Sequence, residues 1–180
     1  MWYAANGKQL KYHKEPKEIS FFTSEHSKNL NALACAGQEQ TVRIYDVETL
    51  KVTNKFQGEV IGHKNRIFAL KFDPMNPYVL YSGAWDCYIL VNDLRMREKV
   101  GDILGPYICG ECLDISKDGK YLIAGSYTSS SYLSLYDTST FTKLQDIQWM
   151  SNDGLQGFVY AAKFWTGKQT YPLKIVAGSS

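Results

Sequence analysis

The pentapeptide SGAWD (residues 82–86) lies inside a pattern of strand-like segments that recurs before and after it. The segments YVLYSGAWD (78–86) and YILVNDL (88–94) are short, apolar and bounded by turn residues, which is typical of half-buried and buried β-strands. Comparable runs, TVRIYD, YILVND and YLSLYD, end at Asp46, Asp93 and Asp137, so these landmarks are 47 and 44 positions apart. This spacing indicates a repeated unit of several short strands.

A Gly-His pair stands near the start of the second unit, at Gly62 and His63, and Trp85 and Asp86 follow its second strand. At these residues the chain resembles the WD-repeat (tryptophan-aspartate repeat) family, and the resemblance extends over about residues 19–180. It implies an all-β fold, a β-propeller made of four-stranded antiparallel blades. Such a resemblance is specific for the fold and says little about function.

The repeat boundaries predict about three and a half blades, as part of a larger ring of the seven-blade type. We expect an N-terminal strand or hairpin, or the end of a preceding blade, around the Asn6-Gly7 turn signal. The predicted units are this segment (1–18), blade 1 (19–61), blade 2 (62–104), blade 3 (105–148) and an incomplete blade 4 (149–180). Because open sheet edges invite pairing, we expect a longer chain or a neighbouring subunit to supply the remaining blades.

The resemblance also implies a buried structural tetrad in the second repeat, formed by His63, Ser82, Asp86 and Asn92. A buried carboxylate such as that of Asp86 is costly unless it accepts hydrogen bonds, and His63 and Ser82 are suitable partners. Asn92 stands where the family has tryptophan, and its amide is expected to replace the missing indole donor in part. None of the repeats has all four family residues.

Three residues of the second repeat match the positions through which family members contact proteins on one face of the ring: Arg66, Phe68 and Trp85. An arginine beside two aromatic side chains is the composition enriched in interface hot spots. The alternative is that Phe68 packs inside its sheet and Trp85 only covers its neighbour. The corresponding positions in the later repeats are Cys109, Glu111 and Tyr127, followed by Phe158 and Tyr160.

The segment CGEC places Cys109 and Cys112 at the spacing of a redox pair or of half a zinc site. A redox pair belongs at a helix start in a βαβ unit, whereas ICGECLDIS lies where the family has its first strand. A structural zinc site needs four ligands, and Cys35 and Cys87 are isolated. We therefore interpret the cysteines as small apolar residues and predict no metal site and no cofactor.

Composition argues against several other classes of function. The net charge is +2, and the N-terminal lysines are interrupted by Glu15 and Glu18 in KYHKEPKE (11–18), so nucleic acid is not an expected partner. The sequence has no apolar run of the roughly 18 residues that a membrane span requires. We expect no membrane partner, and we expect cytoplasmic residence with cytoskeletal association as an alternative.

The sequence contains no nucleotide-binding glycine loop, no HExxH and no GxSxG motif. Inspection of the repeats finds no set of inward-pointing acids or histidines that would build an enzyme site at the propeller axis. We therefore predict a non-catalytic scaffold or adaptor that binds other proteins. The alternatives are a structural subunit of a large cytoskeletal or ciliary assembly and, third, an enzyme with a pocket at the axis.

Overall fold

The computed structural model describes residues 1–15, 18–27, 29–128, 133–148, 158–165, 167 and 173–179. Every regular element in these residues is a β-strand. In chain order the strands are β1 (Trp2–Tyr3), β2 (Lys8–Gln9), β3 (Phe21–Ser27), β4 (Ala32–Gly37), β5 (Val42–Asp46), β6 (Val52–Phe56), β7 (Ile67–Phe72), β8 (Val79–Ala84), β9 (Tyr88–Asp93), β10 (Glu98–Leu104), β11 (Leu113–Ile115), β12 (Tyr121–Gly125), β13 (Leu133–Asp137), β14 (Lys143–Ile147), β15 (Val159–Phe164) and β16 (Ile175–Ser179).

The strands form three four-stranded antiparallel sheets in which neighbours along the chain are neighbours in the sheet: β3 to β6, β7 to β10 and β11 to β14. Strands β15 and β16 pair in the same antiparallel way, and β1 pairs with β2 around the predicted Asn6-Gly7 turn. Gly7 has φ +67°, a conformation that favours glycine. The predicted all-β class and the four-stranded antiparallel blades are thus confirmed.

Burial falls from the inside of each sheet to its outer strand. The middle strands β5, β9 and β12 are buried along almost their whole length, whereas the outer strands β6 and β10 alternate between exposed and covered residues. A strand that is apolar on both faces must be covered on both faces. The sheets therefore stack face to face, and each middle strand is enclosed by neighbouring sheets or segments.

Two clusters of buried apolar side chains fill the spaces between the sheets. The first joins the first sheet to the second and includes Ala34, Val42, Ile44, Phe56, Ile67, Leu70 and Leu80. The second joins the second sheet to the third and to β15, and it includes Tyr81, Ile89, Val91, Ile108, Leu113, Leu122, Val159 and Phe164. The stacking of the sheets is thus fixed by interdigitated side chains of this kind.

The first strand of each unit lies against the first strand of the next: β3 contacts β7, β7 contacts β11, and β11 contacts β15. In three of these first strands the pairing with the second strand is interrupted by one extra residue, which is Phe22, Phe68 or Tyr160. A β-bulge of this kind re-aims a side chain. Each bulge here redirects an aromatic ring.

The fourth predicted unit is described by two strands. The first residues of the predicted fourth blade, 149–157, lie outside the described residues, and β15 and β16 are the described strands of that unit.

The N-terminal segment lies on the first sheet, where the Tyr45 hydroxyl donates a hydrogen bond to Glu15 and Lys11 Nζ donates a hydrogen bond to the Glu48 carbonyl. Among the described residues, none forms a helix that is long and apolar enough to cross a membrane.

Candidate functional site

A buried hydrogen-bond network holds the turn between β8 and β9. His63 Nδ1 lies 2.9 Å from Asp86 Oδ2, and His63 Nε2 lies 2.9 Å from Ser82 Oγ. Because a carboxylate only accepts, Nδ1 carries a proton and donates it to Asp86. The same carboxylate accepts the backbone N–H groups of Lys64 at 2.8 Å and Tyr88 at 3.1 Å. The network therefore ties the approach to β7 to the turn that contains Trp85.

Burial raises the pKa of Asp86, but the hydrogen bond from His63 and the two backbone donors outweigh burial. As a result the pKa of Asp86 lies below its ordinary value of 3.8. The carboxylate is consequently charged at neutral pH and acts as a fixed acceptor. Its negative charge is stabilised by three donors from two parts of the chain, His63 with Lys64 and Tyr88.

The fourth predicted member, Asn92, does not join this network. Its side chain is fully buried, and neither amide atom has a hydrogen-bond partner among the described residues. Asn92 pairs with Leu80 across the sheet, whereas Ser82 pairs with Leu90, so Asn92 and Ser82 are diagonal neighbours. Diagonal Cβ atoms are about 7–8 Å apart, which a short amide side chain does not bridge. The expected replacement of the indole donor by the Asn92 amide is therefore wrong.

Ser82, His63 and Asp86 have the connectivity of a serine-hydrolase triad, in which histidine links a hydroxyl to a carboxylate. Ser82, however, is 0% exposed within β8. A nucleophile must reach a substrate carbonyl, and Ser82 has no such access in this packing. The three residues therefore act as a structural clamp on the turn.

The turn and the bulges align four aromatic rings, which we name the aromatic row: Phe22, Phe68, Trp85 and Tyr107. Phe22 stacks on Phe68 with ring centroids 5.1 Å apart, and Phe68 stacks on Trp85 at 4.8 Å. Trp85 in turn stacks on Tyr107 at 5.8 Å, with the two planes 15° apart. The row thus runs across the first and second sheets to the segment that leads into the third.

The guanidinium of Arg66 lies over the Trp85 ring, 5.5 Å from its centroid. Arg66 is exposed, Phe68 and Trp85 are half-buried, and Phe22 is 42% exposed. Stacked rings with a cation at one face combine a rigid apolar surface with a charge that orients a ligand. The structure therefore brings the three predicted residues of the second repeat together in one surface.

A second aromatic group lies beside the row. Tyr127 stacks on Phe158 with centroids 4.0 Å apart and contacts Tyr160 at 5.6 Å. A hydrogen bond with Tyr160 raises the pKa of Tyr127. The backbone N–H of Tyr127 donates to the carbonyl of Tyr107 at 2.9 Å, which joins this group to the aromatic row. Three of the later-repeat positions named from the sequence therefore lie next to one another.

The predicted counterpart of Arg66 in the third repeat, Cys109, is displaced by two residues. In the second unit the backbone N–H of Trp85 donates a hydrogen bond to the carbonyl of Arg66. The equivalent hydrogen bond in the third unit runs from the N–H of Tyr127 to the carbonyl of Tyr107. The two extra residues are absorbed by a bend at Gly110, which has φ +148° and whose Cβ would lie 2.5 Å from the Tyr160 carbonyl. The structural counterpart of Arg66 is thus Tyr107.

Cys109 and Glu111 lie in or next to this bend, and β11 begins only after it, at Leu113. No hydrogen bond or ring contact joins either residue to the aromatic row among the described residues. Sequence reasoning also missed Phe22 and Tyr107. Phe22 belongs to the first unit and lies before the Gly-His pair from which the binding positions were counted. Tyr107 is identified only when the two extra residues of the third unit are placed in the bend before β11.

Two of the four cysteines, Cys35 and Cys112, are buried among packed side chains, whereas Cys87 and Cys109 are half-buried. Burial raises the pKa of the Cys35 and Cys112 thiols to about 11, and Cys112 Sγ lies 3.2 Å from the Gly125 carbonyl. Within the described part of the chain, all four cysteines are free and no three potential metal ligands cluster. Cys112 lies inside the second apolar cluster.

The first strands present charged side chains that sequence inspection did not find. Glu25, Lys71, Asp114 and Lys163 occupy the same register position on β3, β7, β11 and β15, with alternating sign. Lys71 Nζ lies 3.3 Å from Glu25 and 3.1 Å from Asp114. Inspection of the sequence therefore missed two acids, Glu25 and Asp114, that recur at one register position of the first strands. Both acids pair with the single cation of Lys71, and the three side chains form a structural ion network.

The part of the sequence that forms this site matches a known repeat. Residues 54–93 match the family described as WD domain, G-beta repeat. The matched segment contains the last three residues of β6 in the first sheet and all of β7 to β9 in the second, and it includes His63, Asp86, Arg66, Phe68 and Trp85.

The chain is similar to several curated proteins over part of their length. It is 33% identical over 93 residues to an uncharacterized WD repeat-containing protein of Schizosaccharomyces pombe, covering 52% of the chain and 22% of that protein. It is 35% identical over 66 residues to the ribosome biogenesis protein YTM1 of Saccharomyces cerevisiae, covering 37% and 14%. It is 30% identical over 100 residues to the transcription factor unc-37 of Caenorhabditis elegans, covering 56% and 16%. The matches thus span less than a quarter of each of these relatives.

Proposed function

We propose that this chain, which belongs to the WD-repeat family, is a non-catalytic scaffold that docks other proteins on the aromatic row. One observation carries the proposal: four rings from three successive units stack into one surface, with Arg66 over Trp85. Interface hot spots are enriched in aromatic and arginine residues that are rigid before binding. The row supplies both properties.

The position of the row in the fold supports this proposal. The clamp formed by His63 and Asp86 fixes the turn of Trp85, and the bulges fix Phe22 and Phe68, so little side-chain freedom is lost when a partner binds. The second aromatic group of Tyr127, Phe158 and Tyr160 extends the surface toward the third and fourth units. Tyr127 and Tyr160 are each 37% exposed. A protein partner is therefore a better match in size than a small molecule.

The names of the relatives, a ribosome biogenesis protein and a transcription factor, refer to different processes and do not select one partner. The same proposal holds that the partners are proteins, not nucleic acid or membranes, and that the chain resides in the cytoplasm. The alternatives of a cytoskeletal or ciliary subunit and of an axial enzyme stay untested predictions.

The experiment compares proteins that co-purify with the native protein and with two surface variants, Phe22→Ala and Arg66→Glu. Both side chains are exposed, so the variants are expected to fold, whereas truncating the half-buried Phe68 or Trp85 would also remove packing contacts of the fold. Phe21→Ala is the matched control, because Phe21 is 39% exposed on the same strand but contacts Tyr45 instead of the row. Lys117→Glu controls for charge reversal.

The proposal predicts that partners quantified by mass spectrometry fall at least tenfold with Phe22→Ala and Arg66→Glu and persist with both controls. Melting temperatures of all four variants verify that each is folded. Partners that bind all four variants equally would contradict docking on the aromatic row.

A further inference from the structure

The segment before β11 carries Tyr107 of the aromatic row and lies between two neighbouring units. On the side of the second unit, the backbone N–H of Gly105 donates to the Cys87 carbonyl at 2.9 Å, and that of Ile108 donates to the Ala84 carbonyl at 3.2 Å. The side chain of Ile108 is fully buried. Tyr107 therefore lies between two backbone anchors that hold it against the turn after β8.

On its other side the segment meets the fourth unit at Gly110. Gly110 has φ +148°, a backbone conformation that residues with a side chain rarely adopt. A Cβ at this position would lie 2.5 Å from the Tyr160 carbonyl oxygen, which belongs to the backbone and is not free to move aside as the end of a side chain is. Glycine is therefore the residue that allows the segment to pass this close to β15.

The bend at Gly110 takes the place of a bulge. Strands β3, β7 and β15 each have one extra residue that carries an aromatic ring, whereas β11 pairs with β12 without a register shift. In the third unit the ring comes instead from Tyr107, which precedes the bend. The position of this ring is thus set by the path of the backbone through Gly110.

Three tyrosines lie around this bend and contact one another. The N–H of Tyr127 donates to the Tyr107 carbonyl at 2.9 Å, and the Tyr127 ring lies 5.6 Å from the Tyr160 ring. A hydrogen bond with Tyr160 is the main cause that raises the pKa of Tyr127, and the neighbouring Tyr107 raises it further. Displacing the segment at Gly110 therefore separates Tyr107 from Tyr160, and with them the aromatic row from the second aromatic group.

We infer that Gly110 is the positioning residue of the docking surface: it sets the distance between the aromatic row and the second aromatic group so that one partner contacts both. This inference rests on the proposed function, because it concerns the same surface. Gly110 has no side chain to offer a partner and acts through Tyr107 and Tyr160. An added Cβ must move the segment, the Tyr160 carbonyl or both, and either movement changes that distance.

The test compares Gly110→Ala with the matched control Gly119→Ala. Gly119 also has a positive φ, +74°, but it lies in the turn between β11 and β12. A Cβ there would meet the side chain of Met75, which is 69% exposed. In an antiparallel pair this turn lies at the other end of β11 from the bend, so the control adds a similar backbone strain away from the docking surface.

Fluorine NMR measures the positioning itself, without a partner. Fluorotryptophan is incorporated in place of all tryptophans, and the resonance that is lost in Trp85→Phe is assigned to Trp85. Because Trp85 stacks on Tyr107 at 5.8 Å, its chemical shift reports whether that stack is kept. Partners that co-purify with the native protein and with each variant are quantified by mass spectrometry.

We expect Gly110→Ala to shift the Trp85 resonance and to lower, by about tenfold or more, the amount of the partners that Phe22→Ala also releases. Gly119→Ala should change neither quantity. The inference is overturned if Gly110→Ala keeps these partners or leaves the Trp85 resonance in place.

Tyr127→Ala tests the same inference without a change of backbone conformation, and it stays informative if Gly110→Ala does not fold. Tyr127 is 37% exposed, and its control is Tyr12→Ala, at a 76% exposed tyrosine of the N-terminal segment. The partners released by Tyr127→Ala should be those released by Phe22→Ala. Release of a different set, or of none, by Tyr127→Ala would overturn the inference and leave docking on the row intact. Partners unaffected by both Phe22→Ala and Arg66→Glu would contradict the proposed function itself.

Discussion

The ring of Phe68 stacks on the indole of Trp85 with centroids 4.8 Å apart and planes at 29°. The contact joins the bulge of β7 to the turn after β8, which are 17 positions apart in the sequence. The turn is fixed by Asp86, the residue that follows Trp85 and bonds His63. The surface proposed to bind proteins therefore depends on the buried clamp beneath it.

Replacement of Asp86 by alanine should strongly destabilise the chain. It leaves His63 Nδ1 and the N–H groups of Lys64 and Tyr88 without their acceptor, and breaking a buried pair of this kind costs about 3–5 kcal/mol. Asp102→Ala removes an exposed ion pair with Lys99 and should cost less than about 1 kcal/mol. Urea unfolding of both variants measures the difference. Equal costs would show that the clamp does not stabilise the fold.

The clamp also predicts how stability depends on pH. The pKa of Asp86 is lower in the folded chain than its ordinary value of 3.8, so its contribution is fully present above that value and is lost as pH falls through the lower folded pKa. Asp86→Asn, which cannot ionise, should therefore lose less stability than the native chain between about pH 5 and pH 2. Urea midpoints measured across that range check this. If the urea midpoints of the two proteins fell in parallel with pH, Asp86 would not be the group whose protonation lowers stability.

Asn92→Leu should raise stability, by about 1–2 kcal/mol. Both amide atoms of Asn92 are buried without a partner among the described residues, and an apolar side chain of similar shape removes that desolvation cost. Asn54→Leu is the matched control, because the Asn54 amide donates to the Leu94 carbonyl, and it should lower the melting temperature. Calorimetric melting of the two variants should give shifts of opposite sign. A lowered melting temperature for Asn92→Leu would mean that the amide has a partner in solution.

Lys71→Met should destabilise the ion network of the first strands. It leaves Asp114, whose side chain is 8% exposed, without its cation, and we expect a loss of about 3 kcal/mol. Asp114→Asn retains an acceptor for the Phe164 N–H but removes the charge. The double variant should therefore recover part of the loss, giving a coupling energy of about 1 kcal/mol or more in a double-mutant cycle. Strict additivity of the two changes would contradict the network.

Sequence patterns were sufficient for the fold because strand periodicity and the spacing of Asp46, Asp93 and Asp137 follow from packing. The resemblance to the WD-repeat family implied the positions of His63, Ser82 and Asp86, whose side chains the structure joins by hydrogen bonds. Prediction failed where a contact depends on side-chain length or on strand register. Asn92 occupies the expected position, but its side chain is too short to reach Ser82. Because of the bend at Gly110, the structural counterpart of Arg66 is Tyr107 and not Cys109.

The charged residues of the first strands illustrate the same limit. Lys71 and Asp114 look like ordinary polar positions within their own segments, and their relation emerges only when β7 and β11 are aligned by strand pairing. Phe22 was missed for a similar reason, because its contact with Phe68 joins two different units. Contacts within a repeat are encoded locally, whereas contacts between repeats require the stacked sheets.

Site-specific photo-crosslinking tests docking on the aromatic row most directly. Benzoylphenylalanine is placed at Phe22, which stacks on Phe68, or at Phe21, which contacts Tyr45 instead. In the native protein, irradiation should link the partners that co-purify with it to position 22 and leave them unlinked at position 21. Crosslinks to the same partners at position 21 but not at position 22 would contradict the proposal that the aromatic row is the binding surface.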